Sequence, residues 1–111
     1  MHEYSIADQI IRTALENTDG KPLSAIRLRI GTLSGINEHC LRFYLENILV
    51  EKNLSDVTIT IQTIQAACRC ACGNEYELAD IMMDCPACGG FNREITGGTD
   101  FIIDSIEVQN G

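Results

Sequence analysis

The stretches CRCACG at residues 68–73 and CPACG at residues 85–89 each end in Cys-Gly and are separated by a polar segment. The glycine after the last cysteine permits a tight turn that directs backbone N–H groups at the sulfurs. Zinc prefers four tetrahedral thiolate ligands at about 2.3 Å, and closely spaced cysteines supply them at a small loop-closure cost. These two stretches, the cysteine knuckles, therefore predict a structural zinc site.

The first knuckle contains three cysteines, so its ligands are ambiguous. Cys68 and Cys72 have three residues between them, which lies within the two to four that zinc knuckles tolerate. Cys70 and Cys72 have one residue between them, a spacing that we expect to strain the loop. The predicted zinc ligands are therefore Cys68, Cys72, Cys85 and Cys88, with Cys70 as a spare thiol or a substitute for Cys68.

Length and charge exclude several classes of protein. A chain of 111 residues allows one domain, or a small domain with a smaller lobe attached. The net charge of −8 argues against a nucleic-acid partner, because a phosphate backbone would be repelled. No apolar run approaches the roughly 20 residues of a membrane span, and the N-terminus lacks a signal-peptide pattern. We expect a cytoplasmic protein whose six cysteines are reduced and serve as metal ligands or as spare thiols, not as disulfides.

Hydrophobic periodicity predicts an α+β fold. Helical spacing covers residues 5–16 and 37–49, and strand patterns cover residues 25–30, 57–64 and 101–108. This order predicts a small three-stranded sheet with two helices on one face, whose last strand follows an inserted zinc-ribbon-like lobe. We therefore expect one unit from residues 1–66 and 97–111, and a zinc-binding lobe at residues 67–96.

Association is a further expectation. Thr96 to Thr99 contain Gly97-Gly98 and are typical of a hairpin turn or a hinge. A last strand that is reached through such a hinge could exchange between protomers, which is a low-cost route to a homodimer.

The amino terminus, Met1-His2-Glu3, has the groups to chelate a metal ion. The terminal amine of Met1, the amide nitrogen of His2 and its imidazole Nδ1 can form fused five- and six-membered rings around one ion. Three in-plane nitrogens suit Ni(II) or Cu(II) better than zinc, and Glu3, a nearby side chain, water or a partner would complete the coordination. The alternative is that His2 belongs to a mobile tail without a metal.

The order of these features resembles the HypA/HybF family over essentially the full length. It runs from MHE before a helix, through a strand ending in Ile-Gly and knuckles that include Cys-Pro-x-Cys, to a closing Ser-Ile-Glu-Val strand. The resemblance implies nickel bound at His2 and its backbone neighbours, and structural zinc bound by four knuckle cysteines. It also implies delivery of nickel to the NiFe-hydrogenase large subunit, with the GTPase HypB as co-chaperone.

Two positions depart from the family pattern. The first knuckle of the family is normally Cys-x-x-Cys, but Arg69 stands where its first cysteine is expected. Relatives often carry a carboxylate where this chain has Asn37, although Glu38 is adjacent. The first zinc ligand and any acidic nickel ligand beyond Glu3 therefore stay open.

Other candidate residues have ordinary explanations. His39 is either solvated or an additional nickel ligand, and Cys40 is expected in the core as a small hydrophobe.

No nucleophile elbow, phosphate-binding glycine loop or open zinc motif is present in the sequence, so we expect no enzymatic activity. The competing function is a zinc-ribbon interaction module that binds a protein partner without nickel.

Overall fold

The computed structural model describes residues 2–110 and has two helices and six strands over that range. The elements in chain order are α1 Glu3–Glu16, β1 Leu23–Gly31, α2 Glu38–Glu51, β2 Thr58–Ile64, β3 Ala67–Cys70, β4 Glu75–Glu77, β5 Arg93–Gly97 and β6 Phe101–Val108. No helix within residues 2–110 is both long enough and apolar enough to cross a membrane.

The first sheet has the strand order β2-β1-β6. β1 runs parallel to β2 and antiparallel to β6, and α2 forms the crossover between the two parallel strands. Both helices pack over this sheet, and its buried side chains, among them Ile10, Ile26 and Leu45, form the main hydrophobic core. The predicted α+β fold, with a last strand that follows the cysteine knuckles, is confirmed.

The second sheet has the antiparallel order β4-β3-β5 and carries both knuckles. We call residues 67–97, from the start of β3 to the end of β5, the cysteine lobe. The buried cluster of this region is small and consists of Cys68 and Leu78 with the adjoining Ala66, and a few half-buried side chains pack against it. So small a core supplies little folding free energy, because stabilisation grows with the apolar area buried.

Close backbone contact joins the two sheets. A Cβ on Gly31, at the end of β1, would lie 2.2 Å from the carbonyl oxygen of Gly98, so only glycine fits there. The same Gly98 oxygen accepts a hydrogen bond from the N–H of Leu33 at 2.8 Å, and Gly98 itself has φ +84. The predicted turn after β5 is therefore packed against the end of β1.

The beginnings of the two helices are also connected. The backbone N–H of Asn37 donates to the Glu3 carboxylate at 3.2 Å, and the Asn37 side chain caps α2 by accepting from the N–H of Cys40 at 3.0 Å. The rings of Tyr4 and Tyr44 meet edge to face with their centroids 5.5 Å apart. These contacts hold the first turn of α1 against the first two turns of α2.

Candidate metal centres

Four cysteine side chains converge in the cysteine lobe. Among residues 2–110, Cys70, Cys72, Cys85 and Cys88 form the one group of metal-ligating side chains found, and their sulfurs all lie within 4.8 Å of one another. Cys70 Sγ is 3.5 Å from Cys88 Sγ, and Cys72 Sγ is 3.8 Å from Cys85 Sγ. A tetrahedron with zinc–sulfur bonds of about 2.3 Å has sulfur–sulfur separations of about 3.8 Å. The donor set and its size therefore fit a zinc ion.

Two tight turns bring these sulfurs together. In the first knuckle the N–H of Gly73 donates to the carbonyl oxygen of Cys70 at 2.8 Å. In the second, the N–H of Gly89 donates to the carbonyl oxygen of Cys85 at 2.8 Å. Both glycines have positive φ, +95 and +73, a conformation that side chains with a Cβ rarely adopt. The turn of the first knuckle is one residue shorter, and it still places two sulfurs in the cluster.

The surroundings of Cys85 and Cys88 shift the pKa values of these two thiols in opposite directions. Burial opposes ionisation of Cys85, but the N–H groups of Cys88 and Ala87 favour its thiolate and lower the pKa of Cys85 to about 6. The N–H of Gly90 favours the thiolate of Cys88, but the neighbouring thiols of Cys70 and Cys72 oppose it and raise the pKa of Cys88 to about 12. Cys85 therefore loses its proton more readily than an ordinary thiol does, and Cys88 less readily.

Cys68, which we expected as the first zinc ligand, lies apart from the four-sulfur group. Cys68 lies in the middle of β3, is 1% exposed, and belongs to the apolar cluster of the lobe. Its thiol faces the carbonyl oxygen of Tyr76 at 3.7 Å instead of the other sulfurs. Two residues along a strand span about 6.6 Å, so the sulfurs of Cys68 and Cys70 cannot serve as alternative ligands at the same position of a metal site. Cys70 takes this position because it is the last residue of β3, where the turn of the first knuckle begins.

Substitutions at these two cysteines separate a metal ligand from a core residue. We expect Cys70→Ser to lose zinc, because serine offers no thiolate at this position of the cluster. Cys68→Ser should retain zinc and lose a small amount of stability, because a hydroxyl replaces a buried thiol in an apolar cluster. Elemental analysis of the purified variants measures the zinc. Retention by Cys70→Ser together with loss by Cys68→Ser would show that Cys68 is the ligand after all.

The second predicted site lies at the amino terminus. His2 is exposed, and its side chain makes no hydrogen bond that caps α1. Glu3 begins α1, and the hydrogen bond from the Asn37 N–H lowers the pKa of its carboxyl group, so this group is negative at neutral pH. The predicted ligand Met1 lies outside the described residues. The structure thus shows an exposed imidazole next to an anchored carboxylate.

His39 and Cys40 lie in the first turn of α2, and both are exposed. The expectation that Cys40 is a core residue is wrong. The buried face of α2 is formed by Leu41, Leu45 and neighbours at helical spacing, and Cys40 is about 100° away from Leu41 around the helix. No group of three ligating side chains that includes His39 or Cys40 occurs within residues 2–110.

Solved structures of known proteins share this fold. A solution structure of the Ni metallochaperone HypA from Helicobacter pylori matches with a TM-score of 0.64 and 21% identity, over 97% of each chain. A second solution structure, of a HypA protein, matches with a TM-score of 0.67 and 21% identity, over 98% of this chain and 97% of that one. At this level of identity the similarity establishes the fold.

Sequence comparison identifies the family. A hydrogenase maturation factor HypA from Geotalea uraniireducens is 32% identical over 110 residues, which cover 98% of this chain and all of that protein. One from Francisella philomiragia is 33% identical over 96% of this chain and 97% of that protein. The HypA family profile, described as hydrogenase/urease nickel incorporation, metallochaperone, matches residues 1–108. The chain therefore belongs to the HypA family of metallochaperones for nickel incorporation.

Proposed function

We propose that this protein binds Ni(II) as cargo at its amino terminus and delivers it for NiFe-hydrogenase maturation. The Met1 amine, the backbone nitrogen and imidazole of His2, and the carboxylate of Glu3 would hold the ion. The observation that carries the proposal is the exposed His2 directly before Glu3, whose carboxylate is fixed by the Asn37 N–H at 3.2 Å. One Glu3 oxygen accepts this hydrogen bond, and the carboxylate has a second oxygen that can bind a metal ion.

The cysteine lobe has a different role in this proposal. Cys70, Cys72, Cys85 and Cys88 would hold Zn(II), and a zinc ion bound by four thiolates has no open position for a substrate. Its contribution is structural, since metal binding supplies the folding free energy that the small core of the lobe lacks. The division into a nickel-binding unit, residues 1–66 and 97–111, and a zinc lobe, residues 67–96, belongs to the same proposal.

Delivery of a metal ion requires partners but no catalysis. We propose a HypB-like GTPase and the NiFe-hydrogenase large subunit as partners, supported by membership of a nickel-incorporation family. Within this proposal the protein is a cytoplasmic carrier and not an enzyme. A homodimer stays a prediction, which light scattering across a range of protein concentrations tests.

One added residue tests the amino-terminal site. An extra glycine before Met1 converts the terminal amine into an amide and moves His2 from the second position to the third. We expect nickel affinity to fall by more than about tenfold, because the chelate loses a nitrogen donor and its ring geometry. Calorimetric titration of the zinc-loaded protein with Ni(II) measures the affinity.

The control adds the same glycine after Gly111, which leaves the amino terminus unchanged and should leave nickel binding unchanged. If the amino-terminal extension binds nickel as tightly as the unextended protein does, then the Met1 amine is not a ligand and the proposed site is wrong.

A further inference from the structure

The Arg93 side chain contacts several groups of the cysteine lobe at once. Its guanidinium group lies over the ring of Phe91, 4.1 Å from the centroid, and donates hydrogen bonds to the carbonyl oxygens of Ile81 and Met83. It also reaches the hydroxyl of Tyr76 at 3.4 Å. A guanidinium group with this many partners fixes the segment around residues 81–83 and the Phe91 ring relative to each other.

The fixed segment exposes apolar side chains. Asp80 Oδ1 accepts from the N–H of Met82 at 2.9 Å, and the Asp80 carbonyl oxygen accepts from the N–H of Met83 at 2.9 Å, which forms a closed turn. Met82 at the top of this turn is 74% exposed, while Ile81 is 54% and Phe91 51% exposed. We call Ile81, Met82 and Phe91 the tip patch. Hydrogen bonds hold the backbone of residues 80–83, and the Arg93 guanidinium contacts the Phe91 ring, so these exposed side chains belong to an ordered part of the lobe.

The lobe that carries the tip patch has a negative net charge, because residues 67–97 contain five carboxylates and two arginines. Asp80 and Asp84 flank the exposed turn, are themselves exposed, and form no ion pair with any residue between 2 and 110. Of the two arginines of the cysteine lobe, Arg69 pairs with Glu75 at 3.1 Å. Arg93 donates to uncharged backbone carbonyl oxygens and keeps its positive charge over the Phe91 ring. Four thiolates around a zinc ion would add a net charge of −2 to the same lobe.

We propose that the tip patch is a docking surface for a partner protein segment that carries an apolar side chain flanked by lysine or arginine. Exposed apolar side chains in an ordered cluster mark interaction sites, and methionine adapts to varied partner surfaces. The unpaired carboxylates of Asp80 and Asp84 select a basic partner, because potentials across an interface are complementary. They also disfavour a second copy of this chain, whose tip patch bears the same negative charge.

This inference goes beyond the proposed function and does not depend on nickel. Two labelled synthetic peptides test it on the full-length zinc-loaded protein: one with leucines flanked by lysines, and one with the same leucines flanked by glutamates. We expect the lysine peptide to bind, with backbone amide shifts concentrated at residues 80–91, and the glutamate peptide not to bind. Fluorescence anisotropy gives the affinities.

Three variants locate the surface. Met82→Ser removes the apolar side chain, and Asp80→Asn removes the charge while it keeps an oxygen to accept from the Met82 N–H. Each should weaken binding of the lysine peptide about tenfold or more, as expected for a central interface residue. Val50→Ser alters a side chain on α2 that is 61% exposed, away from the tip patch, and should leave binding unchanged.

Several results would overturn the inference. These are equal binding of both peptides, unchanged binding by Met82→Ser, or self-association in sedimentation experiments that Met82→Ser abolishes, which would identify a second copy as the occupant. The lysine peptide should also bind to His2→Ala with unchanged affinity. A failure of the nickel proposal is thereby distinguished from a failure of this one.

Discussion

Cys85→Ser is expected to release zinc and unfold the cysteine lobe. Cys85 is 2% exposed, and its sulfur accepts from Asn74 Nδ2 at 3.7 Å beside the other three cysteines. Structural zinc contributes about 10–16 kcal/mol in small zinc domains, and the apolar cluster of this lobe is too small to replace it. Elemental analysis measures the zinc, and amide spectra show whether residues 67–97 keep their dispersion.

The first sheet should survive this substitution, because its core of helix and strand side chains is separate from the cluster of the lobe. Cys40→Ser is the matched control, since Cys40 is an exposed cysteine outside the four-sulfur group. It should keep both zinc and the lobe. A Cys85→Ser protein that retains zinc would show that Cys85 is not a required ligand. One that loses zinc and still unfolds at the wild-type temperature would disprove the structural role of this metal.

His2→Ala is expected to abolish nickel binding and to leave zinc content and stability unchanged. The imidazole is exposed and makes no capping hydrogen bond with α1, so its removal costs no packing. It would supply a direct ligand, and loss of a direct ligand should exceed the roughly 10–100-fold cost of losing an outer-shell partner. Calorimetry with Ni(II) on the zinc-loaded protein measures the affinity, and thermal unfolding measures the stability.

His39→Ala is the matched control for this substitution, because His39 is the other histidine of the chain and is also exposed. Nickel binding should be the same in His39→Ala as in the wild type. If instead His2→Ala binds nickel normally, the amino-terminal chelate is wrong, and a zinc-ribbon interaction module becomes the better account of this protein.

Much of the first unit could be predicted from periodicity. Residues 25–30 and 101–108 were expected as strands and lie in β1 and β6, and both helices were located to within two residues at each end. The expectation succeeded because these elements are long and bury one face in a common core. The strands of the cysteine lobe could not be predicted in this way. Each spans only three to five residues, and turns and hydrogen bonds define them more than an apolar face does.

The sequence by itself determined that this chain has an α+β unit with a cysteine-rich insertion, because hydrophobic periodicity and Cys-Gly turns act over a few residues. Only the tertiary structure decided which four cysteine sulfurs lie close together. The pairing of β3 with β4 and β5 buries Cys68 among apolar side chains and leaves Cys70 where the turn begins. The contact between Glu3 and Asn37 likewise joins residues 34 positions apart. Spacing along the chain cannot reveal such contacts, because the packing of helices and strands creates them.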